Sequence, residues 1–192
     1  MVGGVGVIMP SSIILIGPMR AGKTTIGTLL AQTLNYPRVS LDKVRDQYYQ
    51  EMGYDKAHAL RLREQGGLDA LFGYLKPFEA QLVERIVHEY PDKTIIDFGA
   101  GHSVYADAKL FERVQTALES FPYVFFLTPC DDTEEALQIL NQRDLDDMES
   151  GLPEMNRDFV TSEANRKLAK FTVYNKGKTP QQTHDDIVSQ LT

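Results

Sequence analysis

The chain has 192 residues, of which 42% are hydrophobic and 24% charged, and this composition is typical of one globular domain of ordinary size. The net charge of −7 argues against non-specific binding to nucleic acid or to an anionic membrane, because both need an excess of lysine and arginine. The single cysteine, Cys130, excludes an internal disulfide, and no run approaches the roughly 20 apolar residues that cross a bilayer. These features predict a cytoplasmic protein.

Short β-branched or aromatic runs alternate with longer stretches of helical periodicity, after a loose N-terminal tail over residues 1–11. In chain order, strands are predicted at Ile13–Ile16, Arg38–Ser40, Thr94–Ile96, Tyr123–Leu127 and Thr172–Tyr174. Helices are predicted at Lys23–Leu34, Leu68–Tyr90, Asp107–Ser120, Thr133–Arg143, Phe159–Lys170 and Pro180–Leu191. Because this alternation is typical of a parallel sheet with helices on both faces, the sequence predicts a single α/β domain.

Two segments depart from this alternation. Met52–Gly67 is polar and mixed, which predicts a helical flap at the side of the sheet. Residues 144–158 are acidic and contain Gly151 and Pro153, and a polar segment of this length between two helices is often a lid over a functional site. Its composition fits a solvated surface loop equally well.

A phosphate-binding loop is the strongest motif in the chain. Residues 17–24 read GPMRAGKT and match the pattern G-x-x-x-x-G-K-[ST], between a predicted strand and a predicted helix. The glycines let the backbone turn its N–H groups inward around an anion, Lys23 would bridge the β- and γ-phosphates, and the Thr24 hydroxyl would bind Mg²⁺. The predicted nucleotide-binding residues of this loop are Gly17, Pro18, Met19, Arg20, Ala21, Gly22, Lys23, Thr24 and Thr25.

From this loop onward the sequence resembles the shikimate kinase family, within the nucleoside-monophosphate-kinase-like P-loop proteins. The likeness lies in IILIGPMRAGKTTIGTLLAQTLNYPRVSLDKV, in IIDFGAG at residues 95–101 and in GKTPQQTHDDIVSQL at residues 177–191. It implies a three-layer P-loop NTPase fold with a five-stranded parallel sheet in the order 2-3-1-4-5, a substrate-binding flap over about residues 43–75 and a lid over about residues 144–158. It also implies transfer of the γ-phosphoryl group of ATP, with Mg²⁺, to a small-molecule hydroxyl.

Two aspartates are candidates for the chemistry. The family has an Asp-x-Asp motif after the second strand, where residues 40–42 of this chain read SLD, so the resemblance implies that Asp42 accepts or orients the proton of the acceptor hydroxyl. The other interpretation is that Asp42 caps a helix over Lys43–Gln50. Asp97 ends the third predicted strand and would act as a metal residue beside Thr24, replacing the missing first carboxylate, or would only cap the next turn.

The resemblance also implies roles for residues nearer the nucleotide base and the lid. It places Arg143 against the adenine and Pro180 on the opposite face of the ring. Arg157, near the end of the lid, would act as a catalytic residue by stabilising charge on the transferring phosphate, or would only form a surface salt bridge. The predicted acceptor-binding residues, besides Asp42, are Lys76, Gly99, Ala100, Gly101 and His102.

The acceptor side departs from the family pattern. The family grips the carboxylate of shikimate with two arginines, and here the aligned positions are Lys76, three residues before a retained Glu79, and Thr161. A lysine is a point charge that cannot form the bidentate fork of an arginine. We therefore expect a small-molecule kinase with an acceptor other than shikimate, acting as a monomer or weak homodimer. This acceptor is either less anionic than shikimate or is gripped by Lys76, Arg61 and Arg63 instead.

Two other functions remain open. A nucleoside or nucleotide kinase would need an aromatic flap, and the flap region contains Tyr48, Tyr49, Tyr54, Phe72 and Tyr74, although aromatic residues there are more often core. A nucleotide-binding ATPase or switch protein would suit the loss of the first aspartate and the acidic lid.

Overall fold

A single five-stranded parallel sheet runs through the chain, with strand order β2-β3-β1-β4-β5. The computed structural model describes residues 11–143 and 152–191, so nearly all of the predicted tail and much of the predicted lid lie outside the described residues. The strands are β1 (Ile13–Ile16), β2 (Arg38–Ser40), β3 (Ile95–Asp97), β4 (Tyr123–Thr128) and β5 (Phe171–Tyr174). The predicted strand order is confirmed.

Helices cover both faces of this sheet. They are α1 (Lys23–Leu34), α2 (Leu41–Glu51), α3 (Lys56–Glu89), α4 (Ala108–Leu118), α5 (Thr133–Gln142), α6 (Leu152–Thr161), α7 (Glu163–Leu168) and α8 (Pro180–Val188), with a 3₁₀ turn at Ala100–Ser103. The long α3 bends at Gly67, which has φ 70°, and this bend separates the predicted flap from the predicted helix that follows it.

One predicted helix is wrong, because Phe159–Lys170 is interrupted. The Ser162 side chain accepts a hydrogen bond from the Ala164 backbone N–H and starts α7 as a separate helix. The break divides the predicted helix into α6 (Leu152–Thr161) and α7 (Glu163–Leu168).

The first strand explains why the core has two halves. All four residues of β1 are fully buried. Ile13 and Leu15 pack in the core half that contains α1 and α8, whereas Ile14 and Ile16 pack in the half that contains α3 and α4. A strand covered on both faces reads as a continuous apolar run, which is why this segment shows no alternation. None of the described helices has the length and apolar character needed to cross a membrane.

The strand register brings the carboxyl ends of three strands together. Asp97, the last residue of β3, pairs with Leu15 of β1 and with Ser40 of β2. The phosphate-binding loop follows β1 at this edge, and its first residue, Gly17, lies so close to β4 that a Cβ atom would be 2.3 Å from the Leu127 carbonyl oxygen. Only glycine fits at this approach.

Candidate active site

The phosphate-binding loop joins β1 to α1 and turns through three residues with positive φ. These are Gly17, Arg20 and Gly22, with φ of 139°, 62° and 93°. Left-handed turns of this kind point successive backbone N–H groups into one concavity, which suits an anion at the start of α1. Arg20 is the one residue of the three that is not a glycine, and its side chain makes a positive φ costly. Backbone strain of this kind is concentrated at functional sites.

Lys23 is held inside this loop. Its Nζ atom donates hydrogen bonds to the carbonyl oxygens of Gly17 and Pro18, both at 2.8 Å, and the residue is only 8% exposed. Burial lowers the pKa of the Lys23 ammonium group, and the carboxylates of Asp97 and Asp42 act in the opposite direction. A phosphate at this position would supply the negative charge that the buried ammonium group lacks.

The Thr24 hydroxyl group and the Asp97 carboxylate meet at the start of α1. Thr24 Oγ1 donates a hydrogen bond to Asp97 Oδ2 at 2.9 Å, and Arg38 Nη1 donates to the same oxygen at 3.0 Å. Burial raises the pKa of the Asp97 carboxyl group, against the opposing effects of Lys23, Thr24 and Arg38.

This pair has the oxygen donors that Mg²⁺ prefers, and the ion would complete its coordination with waters and phosphate oxygens. Within residues 11–143 and 152–191, no group of three or more His, Cys, Asp or Glu residues is arranged to hold a metal. The two oxygen donors, Thr24 and Asp97, fit a metal whose remaining ligands are waters and phosphate oxygens. Because Ser40 is the register partner of Asp97, the Asp97 carboxylate lies beside the position of the family's first aspartate.

A pocket of about 260 Å³ adjoins the phosphate-binding loop at Ala21 and Gly22 and brings together the two residues predicted to hold adenine. Its lining includes Arg143 and Pro180. Arg143 donates to the Arg20 carbonyl oxygen at 3.1 Å and to Asn175 Oδ1 at 3.3 Å, and Asn175 Nδ2 donates to the Ala21 carbonyl oxygen at 2.7 Å. These bonds connect the pocket directly to the phosphate-binding loop, which suits a base and its phosphates on one ligand.

Asp42 reaches the glycine segment from α2. The helix begins at Leu41 with Ser40 at its N-cap, and no side chain caps it, so the interpretation of Asp42 as a helix cap is wrong. The Asp42 side chain is 58% exposed, and its nearest cation is Arg45 at 3.8 Å. A Cβ atom at Gly99 would lie 2.1 Å from Asp42 Oδ1, so the absence of a side chain at Gly99 makes room for this carboxylate.

Lys76 is engaged by its own surroundings. Its Nζ atom lies 2.6 Å from Glu79 Oε2 and donates to the Gly101 carbonyl oxygen at 2.8 Å. A Cβ atom at Gly101 would be 2.8 Å from Glu79 Oε1 and 3.3 Å from Lys76 Nζ, so this glycine also allows a close approach. Lys76 thus adjoins the predicted acceptor segment, with its charge balanced by Glu79.

His102 lies beneath the acceptor segment. The residue is 2% exposed, and neither ring nitrogen has a hydrogen-bond partner among residues 11–143 and 152–191. Burial lowers the pKa of the imidazole, although Glu79 and Asp42 favour its protonated form. Ala100, which precedes it in the same 3₁₀ turn, is also buried. In this conformation His102 supports the segment from within.

Replacing His102 with leucine should make the stability less sensitive to acid. Because burial lowers the folded-state pKa of His102, the unfolded chain takes up the proton first as the pH falls below about 6.5. The wild-type free energy of unfolding should therefore fall by roughly 1 kcal/mol more than that of His102→Leu between about pH 7.5 and about pH 5. Urea unfolding at the two pH values measures this difference, and an equal fall in both proteins would contradict it.

The structure describes the part of the predicted lid that belongs to α6. There, the side chains of two adjacent residues, Asn156 and Arg157, have different partners. Arg157 forms a two-pronged ion pair with Glu134 of α5, at 2.7 and 3.2 Å, and both side chains are exposed. Asn156 is buried instead. It accepts a hydrogen bond from the Met19 backbone N–H at 3.0 Å and donates to the Met19 carbonyl oxygen at 3.4 Å. Asn156 therefore contacts the phosphate-binding loop, whereas Arg157 is held away from it.

The flap aromatics pack mainly against one another. Tyr54 lies 5.3 Å from Tyr49, 5.4 Å from Tyr74 and 5.2 Å from Phe78, measured between ring centroids. Arg85 covers the ring of Tyr48 at 4.5 Å. Among the five aromatics of the nucleoside hypothesis, Phe72 alone lines one of the described pockets. This packing favours a structural role for the other four rings.

Comparison with known proteins gives concordant results in sequence and fold. A curated shikimate kinase from Enterococcus faecalis is 26% identical over 193 residues, which cover 94% of this chain and 98% of the relative. Shikimate kinase from Acinetobacter baumannii, solved in complex with shikimate, superposes with a TM-score of 0.65 at 18% identity, covering 96% of this chain and 93% of that chain. The chain is similar to shikimate kinase in both sequence and fold.

A gluconokinase from Sinorhizobium meliloti has the same fold, with a TM-score of 0.58 at 13% identity, covering 95% of this chain and 92% of that chain. No protein-family model matches the chain. The architecture is that of the P-loop kinases of the nucleoside-monophosphate-kinase-like class, and the sequence likeness to shikimate kinase supports a small-molecule kinase.

Sequence reasoning missed three residues of this candidate site. They are Arg38, which binds Asp97; Asn156, which binds Met19; and Asn175, which joins Arg143 to Ala21. For Arg38 a signal existed, because an arginine in a short strand beside a buried strand needs a carboxylate partner. The two asparagines carry no such signal, since their partners, the Met19 backbone for Asn156 and Arg143 and the Ala21 carbonyl oxygen for Asn175, lie far away in the chain.

Proposed function

We propose that the chain is an ATP- and Mg²⁺-dependent kinase that transfers the γ-phosphoryl group to a hydroxyl group of a small molecule other than shikimate. The observation that carries this proposal is the position of Asp42. Its exposed carboxylate lies against Gly99 and, with Asp97, contributes to the field at the buried Lys23 ammonium group. A cation for the phosphates and an exposed carboxylate that acts on the same cation suit in-line transfer to a hydroxyl.

In this proposal each residue does what its environment favours. Lys23 and the loop N–H groups bind the β- and γ-phosphates, and Arg143 and Pro180 hold the base. Thr24 and Asp97 hold Mg²⁺, which neutralises charge on the phosphate oxygens when it is bound. Asp42 orients the acceptor hydroxyl and takes its proton, and Gly99, which has no side chain, leaves room for this carboxylate.

The electrostatics of the acceptor side support an acceptor other than shikimate. Lys76 has three N–H donors, and it donates hydrogen bonds to Glu79 Oε2 and to the Gly101 carbonyl oxygen. Little of its charge is therefore available to a carboxylate of the acceptor. The second position that carries an arginine in the family is Thr161, whose hydroxyl donates to backbone carbonyl oxygens of its own helix. Neither residue therefore offers a strong anion grip.

Release of ADP from Mg·ATP tests the proposal. The rate would be measured without an acceptor and then with shikimate, nucleosides, nucleoside monophosphates, sugars and amino-alcohols. We expect very slow release without acceptor, because a closed kinase site excludes water, and a clear rise with one class of hydroxyl compound. A steady rate that is independent of acceptor and absent from Lys23→Met would instead favour an ATPase or switch protein.

A further inference from the structure

The acceptor side contains a cavity of about 440 Å³ between α3, the segment after the 3₁₀ turn and α6. This volume is within the roughly 300–1,000 Å³ of small-molecule sites. Lys76 lines the cavity and binds the Gly101 carbonyl oxygen. Asp158 and Phe159 line it from α6, directly after the Asn156 contact to the phosphate-binding loop. The cavity therefore adjoins both the glycine segment and the helix that touches the loop.

The charge of this cavity is negative. Its lining has three carboxylates, from Asp69, Asp107 and Asp158, and one ammonium group, from Lys76. Lys76 is already paired with Glu79, and Asp107 Oδ1 accepts the Lys109 and Leu110 backbone N–H groups at the start of α4. Within the described parts of the chain, the carboxylates of Asp69 and Asp158 have no cationic partner. A carboxylate on the acceptor would meet repulsion here, and a cation would meet attraction.

Aromatic rings form the other walls. Phe72, Tyr105 and Phe159 line the cavity. The Lys76 ammonium group lies 5.9 Å from the centroid of Phe72 and 5.3 Å from that of Tyr105, so the faces of these rings already receive a cation. Ring faces together with carboxylates are the combination that recognises an organic ammonium group, because both attract positive charge while the rings cover the apolar body.

We infer that the acceptor is an amino-alcohol, a hydroxyl compound with an ammonium group on an apolar body. This inference rests on the proposed function and specifies its acceptor. In the transfer, the acceptor oxygen forms a bond to the γ-phosphorus and the bond from that phosphorus to the β,γ-bridging oxygen of ATP breaks. The hydroxyl proton passes to Asp42 and then to solvent, and the ammonium group keeps its charge between Asp69 and Asp158.

Matched acceptors test this inference. An aminocyclohexanol, the corresponding cyclohexanediol and the corresponding hydroxycyclohexane carboxylate differ in one substituent, and a second triplet on a phenylpropane skeleton adds an aromatic body. We expect kcat/KM for ADP release to be about tenfold higher with the amine than with the neutral analogue, and lowest with the carboxylate.

Two cavity variants and one control locate the effect. Asp69→Asn and Asp158→Asn should each reduce the ratio of kcat/KM for the amine to kcat/KM for the neutral analogue by about threefold. Glu163→Gln removes an exposed carboxylate of α7 that does not line the cavity, and it should keep the full preference. An equal or greater rate with the neutral or carboxylate analogue would overturn the inference.

Binding measurements separate this inference from the proposed function. If no compound accelerates ADP release, the proposed kinase activity loses its support, and calorimetric titration of the same compounds then decides the inference alone. Amine binding that weakens in Asp69→Asn and Asp158→Asn but not in Glu163→Gln would support a cation site. Absence of amine binding, or binding that ignores the two cavity variants, would overturn it.

Discussion

Lys23→Met should lower the rate of ADP release by about 10³-fold or more, because it removes the cation that would bind the β- and γ-phosphates. Methionine keeps an unbranched side chain of similar length, so the packing of the loop is disturbed less than by alanine. The variant should also lose the stabilisation that Mg·ATP gives to the wild-type chain, which is about 2.7 kcal/mol at a nucleotide concentration of 100 times Kd. Steady-state turnover and thermal unfolding with and without Mg·ATP measure the two effects.

The environment of Lys23 also predicts the stability of this variant without nucleotide. Without nucleotide, Lys23 is a buried ammonium group whose pKa is lowered by desolvation, and its hydrogen bonds go to two carbonyl oxygens. Because an uncompensated buried charge is costly, the nucleotide-free variant should unfold at a temperature close to that of the wild type. Lys167→Met changes an exposed lysine of α7 and should retain turnover. Normal ATP-dependent stabilisation of Lys23→Met would contradict its assigned role.

Asp42→Asn should reduce phosphoryl transfer by about 10²-fold or more while leaving the affinity for ATP nearly unchanged. The amide preserves the size of the side chain and can still orient a hydroxyl, but it cannot take a proton. The side chain of residue 42 lies against Gly99, on the acceptor side of the phosphate-binding loop. We therefore expect the contacts between the loop and the nucleotide to be unchanged in this variant. Single-turnover transfer and nucleotide titration separate the two quantities.

A matched control for this change lies one turn further along α2. The side chain of Asp46 is 85% exposed, and its Oδ1 atom lies 3.6 Å from Nε of Arg45. The same arginine is the ion-pair partner of Asp42. Asp46→Asn should change the rate by less than about twofold, as expected of an exposed charge away from the site. If Asp42→Asn and Asp46→Asn transfer at the same rate, Asp42 has no part in the chemistry.

Local patterns were sufficient to predict the frame of the molecule. The alternation of short apolar runs and helical stretches predicted the parallel sheet, and both ends of β1, α1 and β2 agree with the structure. The glycine-rich loop was predictable for the same reason, because its geometry depends on neighbouring residues. The strand order came from the family resemblance, because periodicity does not determine which strands are neighbours.

The sequence did not predict which residues of α6, at the end of the predicted lid, face the phosphate-binding loop. Adjacent residues of an α-helix point about 100° apart, since one turn takes 3.6 residues. The sequence drew attention to Arg157 because an arginine suits phosphate chemistry, yet the phase of α6 directs Asn156 to Met19 and Arg157 to Glu134. That phase depends on how α6 packs against α5 and the loop, which are contacts between distant parts of the chain.

The sequence by itself therefore determined the sheet type, the phosphate-binding loop and the polar residues near it, because these depend on short-range patterns. The tertiary structure decided what those polar residues can do. It paired Lys76 with Glu79 and Gly101, buried His102 without a partner and brought Arg38 to Asp97. The charge available at a site depends on partners that only folding brings within hydrogen-bonding distance, and a residue type does not reveal them.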